Sequence, residues 1–165
     1  MPDSSPIAPN YEGWAVYHQR LVDAVAPLNA AQLDLQAAPH LWTIRTLVCH
    51  VIAARVWWFH SWMGEGGAEL DEMVDWDEGE SARTREASEL VSGLKVTWSL
   101  IDGCLRRWTE SDLGASFRRP IPRPNGELPV QSRRWIIWHV LEHDIHHGGE
   151  ISFSLGMHGL TGLDL

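Results

Sequence analysis

One stretch of the chain, Trp138-His139-Val140-Leu141-Glu142-His143-Asp144-Ile145-His146-His147-Gly148-Gly149-Glu150, concentrates four of the nine histidines. His139, His143 and His147 recur at four-residue steps, so a helix presents them along one face. Side chains at i and i+4 sit roughly 5–6 Å apart at Cβ, and two imidazoles at that spacing can converge on one metal ion with bonds of about 2.0–2.1 Å. His139 and His147 lie roughly 12 Å apart along the axis at 1.5 Å per residue, too far to share an ion. One adjacent pair therefore needs a third ligand from elsewhere, and spacing alone leaves His139/His143 and His143/His147 equally open.

His50 is the natural third ligand. It falls mid-helix in an apolar segment, where a lone imidazole must find a polar partner, and Ala53 and Ala54 one turn on leave room beside it. Glu150 shares the face of His143 and His147 and is the candidate catalytic carboxylate, as general base or as a group orienting His147. Glu142 and Asp144 project to other azimuths and read as charges on a solvated edge. His146 reads as a surface residue or a neighbour of the ligands, and His18, His40, His60 and His158 have no comparable partners. Three neutral imidazoles leave a fourth position for water or substrate, the open arrangement of a catalytic site. A di-iron site would want Glu-x-x-His on two helices, and the sequence has only Glu142 adjacent to His143.

The elements that must position these residues are helical. Asn10 is a candidate cap for helix one, whose apolar positions Trp14, Tyr17, Leu21, Val25 and Leu28 keep helical spacing up to residues 27–29. Thr43 caps helix two, Ile44 to Met63, apolar around most of its circumference and stopped at Gly64-Glu65-Gly66-Gly67. An acidic stretch from Glu69 to Glu80 precedes helix three, Ser81 to Trp108. The connector Glu110 to Pro129 is barred from helix by its prolines, and Asn125-Gly126 predicts a tight turn or short hairpin. Helix four runs from Val130 to about Leu155, with Gly148 and Gly149 as weak points. Four long amphipathic segments predict an all-α four-helix bundle, and 165 residues fit one domain over 1–165.

Composition narrows the partners. A formal charge of −9 argues against a nucleic-acid backbone or an anionic membrane and for a small-molecule substrate. The opening MPDSSPIAPN lacks the basic start and apolar run of a signal peptide, and no apolar stretch is long enough to span a bilayer, so a cytoplasmic protein is expected. Cys49 and Cys104 fall in apolar helical patterns and read as buried free thiols. Trp57, Trp58, Trp62 and Trp138 are candidates to wall a pocket over the ion, or to be core. Arg118, Arg119, Arg123, Arg133 and Arg134 form the densest positive patch, able to steer an anionic substrate or to pair with the 69–80 stretch.

Two passages, Leu41-Trp42-Thr43-Ile44-Arg45-Thr46-Leu47-Val48-Cys49-His50 and His139 through Glu150, resemble the DinB/YfiT-like family of metal-dependent enzymes over nearly the whole chain. The resemblance implies that Trp42-Thr43-Ile44 opens helix two ahead of a ligand, His50, and that His143 and His147 are the helix-four pair. It further implies an up-down-down-up bundle with a long crossover between helices three and four, a homodimer, Zn or Ni, and a transferase or hydrolase using a low-molecular-weight thiol as co-substrate. The alternative is a non-catalytic metal-binding or ligand-sensing dimeric bundle. Gly148 stands where the family usually has Arg, and Glu150 where it usually has Gln.

Overall fold

The computed structural model describes residues 5–164. Met1 to Ser4 of the tail and Leu165, the last residue of the expected domain, lie outside the described residues. The element order is α1 (Glu12–Val25), α2 (Ala30–Leu33), α3 (Ile44–Val56), α4 (Ser81–Thr84), α5 (Ala87–Arg107), β1 (Ser116–Arg118), β2 (Val130–Ser132) and α6 (Arg133–Met157). Four of these, α1, α3, α5 and α6, are the bundle.

The helix starts follow from their caps. Asn10 falls inside a 3-10 turn, Ala8–Tyr11, that begins beside Pro9, so α1 starts later and without a side-chain cap. Asn29 caps α2 instead, in a reciprocal box with Gln32. Thr43 caps α3 as its sequence predicts, accepting from the Thr46 N–H at 3.1 Å. The expected helix from Ser81 is interrupted because Glu86 adopts extended backbone and boxes with Glu89, which starts α5 at Ala87. Val130 to Ser132 pair as a strand with β1 rather than opening the last helix, and Ser132 Oγ accepts from the Trp135 N–H to cap α6. The hairpin turns at Gly126, whose φ of 82° suits glycine.

The sequence predicts helix two unbroken to Met63. Its α-helical part ends at Val56, and Trp57–Trp62 is π-helical. The wider turn keeps Phe59 and Trp62 in the core while Trp57 and Trp58 stay half-buried. Such an insertion recurs at functional sites.

Directions follow from contacts. Thr46 reaches the Ala82 carbonyl near one end of α3, Arg55 the Leu94 carbonyl further along, and Phe59 stacks on Trp108 beyond it, so α3 and α5 run parallel. Trp42 meets His147, His50 meets His143 and Trp58 meets Trp135, so α6 runs antiparallel to α3. Ile7 bonds the Trp108 carbonyl and Trp14 packs on Trp98, so α1 opposes α5. The bundle is therefore up-down-down-up. Parallel neighbours cannot share a tight turn, so residues 63–86 form a long crossover between α3 and α5; residues 108–132, expected as the long crossover, instead join the antiparallel α5 and α6 by a long connector that carries the hairpin.

Apolar packing falls into two clusters, one around Leu21, Val48, Ile52, Leu94 and Ile151, the other around Trp14, Phe59, Leu105, Trp108 and Ile136. Between them lies a wholly buried ion pair. Arg55 donates from Nη2 to Asp144 Oδ2 at 2.7 Å and from Nε to Oδ1 at 3.1 Å. Trp14 Nε1 donates to the same carboxylate at 2.7 Å, and Arg55 Nη1 reaches the Leu94 carbonyl and Thr97. Asp144 is thus no solvated-edge charge. Its azimuth points into the bundle, where the guanidinium and the indole satisfy it.

Candidate metal centre

α3 and α6 cross so that His50 faces the histidine stripe of α6. His50 Nε2 and His143 Nε2 lie 3.0 Å apart, and the ring centroids of His147 stand 4.9 Å from His50 and 4.3 Å from His143. One nitrogen from each of the three falls within 4.8 Å of the others. Metal–nitrogen bonds of 2.0–2.1 Å at tetrahedral angles place donor nitrogens about 3.3 Å apart, within the span of this group.

The donors suit a cation. His50 Nδ1 lies 2.6 Å from Asp77 Oδ2, and His147 Nδ1 lies 2.7 Å from Glu150 Oε2. A carboxylate oxygen only accepts, so both Nδ1 atoms carry the proton and both Nε2 atoms offer a lone pair. His143 Nδ1 is buried without a partner, and its Nε2 faces that of His50. Two lone pairs at 3.0 Å repel each other unless a proton or a cation lies between them. Burial first, then the neighbouring His147 and His50, lowers His143 to about 3, and burial lowers His147 as well. Neutral imidazole is the form that ligates.

The sequence around Trp42 explains itself here. Thr43 starts the helix, Ile44 is buried, and the Trp42 ring packs edge-on against His50 and stacks near His147, covering one side of the group.

Two clefts flank the three histidines. The larger, about 720 Å³, is lined by His50, His143, Trp57, Trp58, Asp77 and Ile121 among others. Ala53 and Ala54 line it too, as their small size predicts. The smaller, about 420 Å³, is walled by Trp42, Leu47, His147, Glu150 and Phe153, with His40 at its edge.

Other expected pieces fall elsewhere. His139 stacks on Trp135 at 4.7 Å and abuts Trp58, lining the larger cleft beside the group without joining it, and His146 is largely exposed. Trp62 is core, and Trp138 is 59% exposed on the outer face of α6, so neither walls the clefts. The arginine patch is dispersed: Arg119 lies over Trp57, Arg133 over Trp108, and Arg134 and Arg123 pair with Glu110 and Glu127 rather than with the 69–80 stretch. Cys49 and Cys104 are buried free thiols pushed up to about 12, chiefly by burial. His18 is not isolated: it stacks on Trp98 and accepts from Arg55 at 3.5 Å.

Gly148 has a local reason. A side chain there would strike the Tyr17 ring, whose hydroxyl donates to the Ile145 carbonyl at 3.2 Å. Tyr17 occupies the space that a larger residue would need.

Residues 15–151 match the DinB superfamily, and the chain belongs to it. Among solved structures, a DinB-like protein from Bacillus cereus ATCC 10987 is 18% identical with a TM-score of 0.71, covering 99% of each chain. YfiT from Bacillus subtilis, described as a probable metal-dependent hydrolase with an unusual four-helix bundle topology, is 16% identical with a TM-score of 0.63, over 98% of this chain and 94% of its own. A conserved Enterococcus faecalis protein is 16% identical with a TM-score of 0.65, over 88% and 94%. No curated protein matches. No helix among the described residues is long and apolar enough to cross a membrane.

Proposed function

We propose that the chain, acting as one domain, is a metal-dependent enzyme, a hydrolase or transferase of a small molecule, whose ion is held by His50, His143 and His147. One observation carries this reading: three imidazoles converge beside a cleft large enough for a small organic molecule. The ion is Zn or Ni, both suited to three imidazoles. When bound, it supplies Lewis acidity to a water or a thiol at its open position.

The chain's own residues do the rest. Asp77 and Glu150 each hold a proton on Nδ1 of a ligand histidine, and Trp42 excludes water from one side. Glu150 also lines the smaller cleft, where it can take a proton from a bound reactant. Two clefts on separate sides allow an electrophile and a thiol co-substrate to enter independently. Exposed Trp138, Ile145 and Phe153 on α6 support a homodimer.

A non-catalytic metal or ligand sensor would close the coordination sphere with a fourth protein ligand; the group here comprises three residues and opens onto a cleft. The test is to load the purified protein with Zn or Ni and assay hydrolysis, and thiol addition to small electrophiles with and without thiols. Turnover that vanishes with chelator and returns with metal supports the reading. A protein that binds neither metal sinks it.

A further inference from the structure

The acidic stretch 69–80 is fastened to the bundle and delivers a single carboxylate to the metal centre. Leu70 is 2% exposed and Trp76 8% exposed. The Trp76 ring lies against Gly93 and Ile52, close enough that even one added Cβ at Gly93 would strike it, and the Arg85 guanidinium covers it at 3.7 Å. His60, in the π-helical turn, bonds the Glu65 carbonyl at 2.7 Å and Asp71 at 2.9 Å, tying down the start of the segment. The residue after Trp76 is Asp77, and its Oδ2 sits 2.6 Å from His50 Nδ1.

We infer that Asp77 is a positioning residue for the metal site: it fixes His50 as the Nδ1–H tautomer and holds the ring so that Nε2 faces His143 and His147 before any ion arrives. The inference rests on the ligand set proposed above. An imidazole free to choose its tautomer would present an N–H to the ion in part of its population and would rotate about χ2. A carboxylate that accepts from Nδ1 removes both freedoms. Asp77 is suited to this because its own segment is anchored by Trp76 next to it in the chain. Neighbouring Asp75 and Glu78 line the same cleft, but among the described residues only Asp77 of the three forms an ion pair with one of the histidines. Their charge attracts a cation without orienting a ligand, which separates the two effects.

The experiment uses the full-length chain and three variants, D77A, D77N and E78A. Zn affinity is measured by chelator competition, and the His50 tautomer in the metal-free protein by long-range 15N–1H correlation at one fixed pH. The expected result is a loss of about 10–100-fold in affinity for D77A, the usual effect of removing a carboxylate that orients a ligand histidine. D77N, whose amide oxygen can still accept from Nδ1–H, falls between D77A and the parent. E78A stays within about threefold, the scale of one exposed charge. In metal-free D77A, His50 loses its Nδ1–H tautomer.

Parent-like affinity and an unchanged His50 tautomer in D77A overturn the inference while leaving the metal site intact. Equal losses in D77A and E78A overturn it as well, since charge alone then accounts for the effect. Should D77A not fold, D77N and its tautomer spectrum carry the test. Should the parent bind no Zn, the same competition is run with Ni; should it bind neither, the proposed function fails instead, and the tautomer measurement still decides whether Asp77 holds His50.

Discussion

Asp144 lies one residue after His143 in the chain, yet the two side chains serve opposite ends of one cross-section. His143 faces His50 at the open side of the bundle, and Asp144 binds Arg55 in its dry interior. Since Arg55 and His50 both belong to α3, the buried pair and the histidine group join the same two helices at adjacent levels.

Removing one partner of that pair is expected to be costly. Asp144→Ala leaves the guanidinium of Arg55 buried without its carboxylate and should lower unfolding free energy by about 3–5 kcal/mol. The double variant Arg55→Met, Asp144→Leu should recover much of it. Denaturant unfolding of all three proteins measures this; an Asp144→Ala protein as stable as the parent would contradict a structural role for the pair.

Stability should fall with acid. Burial, with Arg55 and Lys95 adding to it, lowers His18 to about 3 from an ordinary value of 6.5. Between those limits the unfolded chain takes up the proton and the folded chain does not, so the contribution is full above pH 6.5 and is lost progressively down to about pH 3. The slope from this one group approaches 1.4 kcal/mol per pH unit in the middle of that window. His18→Gln should flatten the stability–pH curve there, and an unchanged curve would count against the buried neutral state of His18.

A side chain at Gly148 should be resisted while Tyr17 is present. Gly148→Ala forces the Tyr17 ring to move, a clash of about 1–3 kcal/mol, offset by about 0.5–1 kcal/mol from replacing a helix-interior glycine. In a double-mutant cycle with Tyr17→Ala the two costs should not add, because the clash disappears with the ring. Simple additivity in thermal or chemical unfolding would show that the contact is unimportant.

Glu150 accepts from His147 and lines the smaller cleft. Glu150→Gln keeps an oxygen able to accept from Nδ1–H but loses the capacity to take up a proton. Metal affinity should therefore fall less than about tenfold, while any metal-dependent turnover falls by about 100-fold or more, the scale of a lost general base. Equal losses in binding and turnover would assign Glu150 to orientation alone.

Periodicity made the four helices and the histidine face legible, because 3.6-residue spacing of Trp14, Leu21, Val25 and of His143, His147 is written into the chain. The family resemblance selected His143 and His147 over the other adjacent pair. Cap competition was harder to read: Asn10 and Ser81 are good cap types, but Asn29 and Glu86 hold the reciprocal partners that decide where helices start. Asp77 was invisible because it sits among Asp71, Glu72, Asp75, Glu78 and Glu80, and only the packing of Trp76 against Gly93 singles it out. Asp144 is hard to read from sequence for a related reason. Charge suggests solvent, and its partner Arg55 lies 89 positions away in the chain.

Anomalous scattering from a crystal of the metal-loaded protein, recorded on either side of the Zn or Ni edge, tests the metal centre most directly. The expected result is a single strong peak at bonding distance, about 2.0–2.1 Å, from one nitrogen each of His50, His143 and His147, with the remaining position open to the larger cleft. A peak on His146, His147 and Glu150 instead, or no peak on the three histidines at all, would contradict it.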